Sequence, residues 1–71
     1  MSYILYTANN CHGCALVVNE LEAKGNKLET YNVDESEERP PIYVVVYPAL
    51  FENGELVAYG QDILRYFEKK L

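Results

Sequence analysis

Two cysteines separated by two residues are the part of this sequence best suited to chemistry. Cys11 and Cys14 are the only cysteines in the chain, and they stand between a strand-like run and a helix-like run. A cysteine at a helix N-terminus lies near unpaired N–H groups and the positive end of the helix dipole, both of which stabilise a thiolate. In such a place the thiol pKa falls from about 8.5 to roughly 3.5–7.5, so the nucleophilic form is present at neutral pH.

The second cysteine completes the chemistry of the first. Cys14 follows Cys11 by one helical turn and therefore faces it. A thiolate at Cys14 can attack a mixed disulfide formed at Cys11 and close an intramolecular disulfide. The spacing therefore predicts a dithiol–disulfide exchange centre.

Two other interpretations of the pair stay open. Zinc takes about four ligands, and His12 is the only histidine that adds to the two thiols, so metal or iron–sulfur binding would need a dimer and an outside ligand. An inert structural disulfide is the other possibility, although a loop this short stabilises a protein by only about 2 kcal/mol. Exchange chemistry is the interpretation we favour, and we expect no metal site.

The composition describes one small acidic domain. The 71 residues leave room for a single domain, 1–71, and 49% hydrophobic residues predict a folded core. The net charge is −5 and no basic cluster is present, which argues against nucleic acid or an anionic membrane as partner. The apolar run 43–47 is too short to span a bilayer, and the N-terminus lacks a secretion signal, so we expect a cytoplasmic protein.

The first half of the chain predicts a strand, a helix and a strand. Residues 3–7 are a β-prone apolar run, and residues 28–33 alternate in polarity. Between them, residues 12–24 carry apolar side chains at helical spacing, with Asn10 as the expected N-cap and Gly25 as the expected stop. A unit of this kind is right-handed with parallel strands.

The second half predicts a hairpin and a final helix. Asn53–Gly54 separates the apolar runs 49–52 and 55–59, and this dipeptide favours a type I′ turn because it tolerates positive φ at both positions. Asp62 is expected to cap a helix through Lys70. The predicted apolar stripe of that helix comprises Ile63, Tyr66, Phe67 and Leu71.

The segment that joins the halves is irregular. Residues 34–41 are acidic and end in two prolines, so at most one helical turn fits there. Residues 42–47 are strongly β-prone but run into Pro48, which either starts or interrupts a strand.

The order and spacing of these motifs resemble the glutaredoxin family of the thioredoxin-like superfamily, in particular the small redoxins that deliver electrons to ribonucleotide reductase. The resemblance extends over nearly the whole chain. The residues that carry it are Ile4, 6–7, 10–14, 24–25, 32–34, 47–49 and 59–62. The resemblance implies an α/β thioredoxin-like fold of the type βαβ-ββα. Its four-stranded mixed sheet has the order 4-3-1-2 with strand 3 antiparallel, and the second helix is truncated or missing here.

The resemblance also implies roles for individual residues. Cys11 matches the attacking cysteine and Cys14 the resolving one, with Asn10, His12 and Gly13 completing the motif. Pro48 matches a cis-proline beside the dithiol, and the preceding Tyr47 would offer its backbone to an extended peptide or to glutathione. The segment Gly60, Gln61 and Asp62 matches the turn that holds the γ-glutamyl end of glutathione, unless Asp62 is simply an N-cap.

The function implied is that of an enzyme, a thiol–disulfide oxidoreductase that carries electrons to protein or glutathione mixed disulfides. Such a protein needs no cofactor, and glutathione or a flavin-dependent reductase would recycle it. Ribonucleotide reductase is a candidate partner. Ala8 and Asn9 stand where many glutaredoxins have a lysine that holds a glutathione carboxylate. The alternatives are a redox-inert partner-binding module of the same fold, acting through residues 43–47, and metal or iron–sulfur binding by a dimer.

Overall fold

The part of the chain that the structure describes forms two helices and four strands in the order that the sequence predicts. The structure, a computed structural model, describes residues 3–26 and 28–70. The elements are β1 (Tyr3–Thr7), α1 (His12–Ala23), β2 (Glu29–Asn32), β3 (Ala49–Glu52), β4 (Glu55–Tyr59) and α2 (Asp62–Lys70). Neither helix in the described part of the chain combines the length and the apolar character needed to cross a membrane.

The four strands form one mixed sheet in the order β2-β1-β3-β4. β1 and β2 are parallel, whereas β3 is antiparallel to both β1 and β4. This is the predicted order 4-3-1-2 with strand 3 antiparallel. The hairpin between β3 and β4 turns at Asn53 and Gly54, whose φ angles are 52° and 85°, so the expected turn chemistry is confirmed.

Both helices cover one face of the sheet. α1 and α2 bury their apolar stripes against the central strands β1 and β3 and form the main core. The buried members are Leu5, Val17, Leu21, Leu50, Ile63 and Phe67. Tyr66 packs at the edge of this core as predicted, whereas Leu71 lies outside the described residues. Gly25, with a φ of 80°, ends α1 as expected.

The opposite face of the sheet is covered by aromatic side chains and by an irregular segment. Residues 33–48 contain neither a helix nor a strand, so the second helix is missing. Tyr6, Ala49 and Phe51 are nevertheless buried on this face, because Val44 and Tyr47 of that segment pack against them. The β-prone run 42–47 forms no strand, since prolines at both ends remove backbone donors and restrict φ.

The hydroxyl of Tyr31 provides a prediction about alkaline stability. Tyr31 donates a hydrogen bond to the Glu29 carboxylate, and this bond, followed by desolvation and nearby negative charge, raises the pKa of Tyr31 to about 12. An unfolded tyrosine ionises near pH 10. The contribution of the Tyr31–Glu29 hydrogen bond to the stability of the folded protein is therefore fully present below about pH 10 and is lost as the pH rises toward 12.

Titration of tyrosinate absorbance measures the raised pKa of Tyr31 on which this prediction depends. The hydrogen bond of Tyr66 to Glu52, 2.7 Å long, also raises the pKa of Tyr66, so the assignment needs a variant. Tyr31→Phe should remove one late-titrating group, and Glu29→Gln should return that group toward the ordinary range. If Tyr31→Phe instead removes a group that titrates near pH 10, the effect of Glu29 is absent.

Candidate dithiol site

The two cysteines form a disulfide at the N-terminus of α1, with their Cα atoms 5.2 Å apart. Cys11 is the N-cap, with φ −120° and ψ 98°, and its Sγ accepts the N–H of Cys14 at 3.0 Å. The prediction of Asn10 as N-cap is wrong. Asn10 adopts a left-handed φ of 55°, and the Cys11 sulfur takes the place of a capping oxygen. A backbone donor therefore points at the sulfur that becomes negative when the disulfide is reduced.

The two sulfurs differ in exposure. Cys14 is buried, with 4% of its surface exposed, whereas Cys11 is half-buried. An open depression of about 360 Å³ beside Cys11 is bordered by Asn10, His12 and Ala15. A group from outside the protein can therefore approach the Cys11 sulfur, whereas the Cys14 side chain is covered.

Tyr47 and Pro48 lie directly beside the dithiol, although they follow it by more than thirty positions. The Cys11 Sγ is 3.6 Å from the Tyr47 carbonyl oxygen. The Tyr47–Pro48 peptide bond is cis, the form that the resemblance implies. Pro48 is buried, and a Cβ built on Gly13 would lie 3.6 Å from its Cδ. The structure thus brings Gly13, Tyr47 and Pro48 together with both cysteines.

Two backbone groups act on the Cys11 sulfur in opposite directions. The N–H of Cys14 is a donor and favours the thiolate, whereas the carbonyl oxygen of Tyr47 favours the protonated thiol, which can donate to it. The donor is the closer of the two, at 3.0 Å against 3.6 Å. We therefore expect the net effect of these contacts to favour the thiolate.

The turn before α2 meets the site through its backbone. The Gly60 N–H donates to the Pro48 carbonyl oxygen at 2.8 Å, and Gly60 has a φ of 63°. Gln61 and Asp62 are exposed, and Asp62 is the first residue of α2 rather than its N-cap. Asp62 borders a separate depression between β4 and α2 that contains neither cysteine.

A hydrogen-bonded network next to the Cys11 loop was not predicted. The Asn9 N–H donates to the Asp34 carboxylate at 2.8 Å, and the Asn32 side-chain amide donates to the Asn9 side-chain oxygen at 3.0 Å. The Asp34 N–H in turn donates to the Asn32 side chain at 2.8 Å. These bonds fasten the loop before Cys11 to the end of β2. The sequence did carry a signal for this network, since Asn and Asp residues lie at or within two positions of the ends of β1 and β2, and such residues form turns by bonding to nearby backbone.

The site brings together an approachable sulfur at Cys11, the Cys14 sulfur bonded to it, and the Tyr47 carbonyl beside Cys11. No group of three or more His, Cys, Asp or Glu side chains in residues 3–26 and 28–70 is arranged to hold a metal ion. Comparisons with protein-family models, curated proteins and solved structures find no match.

Proposed function

We propose that this protein is a thiol–disulfide oxidoreductase of thioredoxin-like fold that works as an electron carrier, similar to the glutaredoxin-like redoxins. The observation that carries the proposal is the position of Cys11. Its sulfur caps α1, accepts the Cys14 N–H and remains approachable, while Cys14 is buried one turn away. A nucleophilic thiolate needs this combination of nearby donors and partial exposure.

The strand order and the placement of Pro48 support the fold assignment. The sheet has the order β2-β1-β3-β4, and the dithiol follows the central strand β1 at the start of α1. Pro48 precedes β3, the other central strand, and therefore meets the dithiol at the same end of the sheet. The missing second helix distinguishes this chain from the family pattern and leaves residues 33–48 to cover one face.

The proposed reaction moves two electrons and two protons. The Cys11 thiol first ionises and releases its proton to solvent. The Cys11 thiolate then attacks one sulfur of a substrate disulfide, forming a mixed disulfide and expelling the other substrate sulfur as a thiolate, which takes up a proton from solvent. The Cys14 thiol then loses its proton and attacks the Cys11 sulfur. The Cys11–Cys14 bond forms, the bond between Cys11 and the substrate sulfur breaks, and the substrate leaves as a thiolate that takes up the proton lost by Cys14. The substrate is reduced and the protein dithiol is oxidised.

A separate reductant must return the pair to the dithiol. Two glutathione molecules, themselves oxidised to a disulfide, or a flavin-dependent reductase would supply the two electrons. The substrates proposed are protein or glutathione mixed disulfides, with ribonucleotide reductase as a candidate partner. We propose the cytoplasm as the compartment, because its reducing environment keeps such a pair in turnover.

A redox titration in graded reduced and oxidised glutathione tests the proposal. Thiol alkylation followed by mass measurement should find Cys11 and Cys14 converting together as a two-electron pair, at a potential of roughly −270 to −180 mV. A Cys11→Ser, Cys14→Ser double variant provides the blank. Thiols that never pair, or that pair irreversibly, would contradict the proposal and favour a redox-inert partner-binding module.

His12 provides a second prediction about the same pair. It is the first residue of α1, is exposed and borders the depression beside Cys11. A charged imidazole there would stabilise the Cys11 thiolate and hence the reduced protein. We expect His12→Ala to raise the pKa of the Cys11 thiol and to make the disulfide harder to reduce. The reduction potential should fall by about 30 mV for each tenfold change in the equilibrium constant between dithiol and disulfide.

Iodoacetamide reactivity as a function of pH measures this pKa. Asn19→Ala, an exposed substitution later in α1, is a suitable control because it leaves the helix N-terminus unchanged. An unchanged Cys11 pKa in His12→Ala would remove His12 from the mechanism.

A further inference from the structure

Building on the proposed exchange reaction, we infer that the preferred substrate is a protein disulfide whose flanking segment is both apolar and basic. That segment would lie in a groove beside the dithiol, lined by residues 33–34, 39–44 and Tyr47, which we term the linker groove. The inference goes beyond the reaction itself because it selects between two classes of substrate, basic protein segments and glutathione.

The linker groove lies next to the dithiol through Tyr47, whereas Cys11 itself borders the separate depression described above. The volume of the linker groove is about 490 Å³ and Tyr47 forms part of its wall. The carbonyl oxygen of the same Tyr47 lies 3.6 Å from the Cys11 Sγ. The carboxylate of Asp34, another lining residue, accepts the N–H of Asn9, two residues before Cys11. Two residues span at most about 7 Å, so a substrate chain bonded to Cys11 through its own cysteine reaches the groove within a few residues.

The wall of the linker groove exposes apolar side chains. Ile42 is 54% exposed and Tyr43 is 90% exposed, and Val45 next to them is 72% exposed. The segment that carries them is held on the sheet, because Val44 and Tyr47 pack against the buried cluster around Tyr6 and Phe51. Contiguous exposed apolar surface on an anchored segment is typical of a docking surface. An extended substrate segment with apolar residues would bury it.

Negative charge beside the linker groove favours a basic substrate segment. Residues 34–38 carry four exposed carboxylates, Asp34, Glu35, Glu37 and Glu38. Of these, Asp34 lines the groove, as does Arg39, which is the single basic residue in 33–48. The Arg39 guanidinium donates to the carbonyl oxygens of Ser36 and Glu38, at 2.5 and 3.0 Å. The chain as a whole has a net charge of −5. Such a field attracts a basic segment and repels glutathione, which carries two carboxylates and one ammonium group.

Rates of reduction by the pre-reduced protein test this inference. The probes are two disulfide-linked peptides that differ only in the residues after the cysteine, Leu-Lys-Arg-Lys in one and Leu-Glu-Asp-Glu in the other. Oxidised glutathione and the uncharged bis(2-hydroxyethyl) disulfide are measured beside them. We expect the basic peptide to react at least about 10-fold faster than the acidic one at about 0.01 M salt, with the ratio approaching one at about 1 M. Oxidised glutathione should be slower than the basic peptide.

A pair of matched double variants tests whether the carboxylates beside the linker groove cause the preference for the basic peptide. Glu37→Gln with Glu38→Gln should lower the ratio of basic to acidic peptide rates at least about 3-fold. Glu20→Gln with Glu55→Gln removes the same charge from exposed positions on α1 and β4 and should leave this ratio unchanged. Equal changes in both variants would overturn the inference, since a long-range effect of net charge would then explain the preference.

The uncharged disulfide separates the two proposals. If it is reduced while the two peptides react equally, or while glutathione disulfide outpaces the basic peptide, the linker groove does not select substrate and the exchange reaction stands. If none of the four disulfides is reduced, the proposed function fails, and this inference fails with it.

Discussion

Cys14→Ser is expected to hold the protein in a covalent adduct with its substrate. The variant retains the approachable Cys11 thiol but lacks the nucleophile that would release the mixed disulfide. Incubated with a disulfide probe, it should accumulate close to one adduct per chain, while the wild-type protein should show only a small fraction. Steady-state turnover with a protein disulfide should fall by about 10³-fold or more, because the resolving step is lost. Intact mass measurement under non-reducing conditions reads the adduct directly.

Cys11→Ser is the matched control for this experiment. Its remaining thiol at Cys14 is 4% exposed, so we expect no adduct within the time in which Cys14→Ser reacts fully. An adduct at Cys14 in this control, or none at Cys11 in Cys14→Ser, would reverse the assigned order of attack. Either result would show that exposure does not decide which sulfur meets the substrate.

Leu50→Ala is expected to have the largest effect on stability. Leu50 lies on the central strand β3, is 0% exposed, and packs in the core with Leu5 and Ile63. Truncating a fully buried leucine removes burial free energy and leaves a cavity, which together lower the free energy of unfolding by about 2–5 kcal/mol. The total free energy of unfolding of a small domain is about 5–15 kcal/mol or less. We therefore expect the variant to be largely or wholly unfolded near body temperature.

Urea denaturation followed by far-ultraviolet circular dichroism measures the loss. Leu56→Ala on the neighbouring strand β4 is the control, because Leu56 is 37% exposed and the same atoms are removed. Leu56→Ala should lower the free energy of unfolding by much less than Leu50→Ala does. Equal losses in both variants would mean that the core does not lie between the helices and the face of β3 that carries Leu50.

Much of the fold can be predicted from short-range patterns in the sequence. The apolar run of β1, the helical spacing of α1, the positive φ at Gly25 and the Asn53–Gly54 hairpin all depend on residues a few positions apart. Cys11 and Cys14 belong to the same class, since one helical turn brings them together. The strand order was predicted from the resemblance rather than from the residues, and the sheet has that order.

Other features depended on contacts that no local pattern contains. The β-prone run 42–47 forms no strand: its flanking prolines are visible in the sequence, but the packing of Val44 and Tyr47 on the sheet, which fixes the segment in place, is not. Asn10 is a good capping residue by type, but the chain enters α1 through a left-handed turn there, and Cys11 caps instead. In both cases the surrounding structure overrides a local preference.

The sequence by itself therefore determined the chemistry available to this protein, which is a pair of thiols at the start of a helix. The tertiary structure decided which thiol is approachable and what stands beside it. Tyr47 is 36 positions from Cys11, and Asp34 is 25 positions from Asn9, yet both reach the same loop. Such pairs meet because β1 lies between β2 and β3, so that the segments next to both neighbours meet at one end of the sheet.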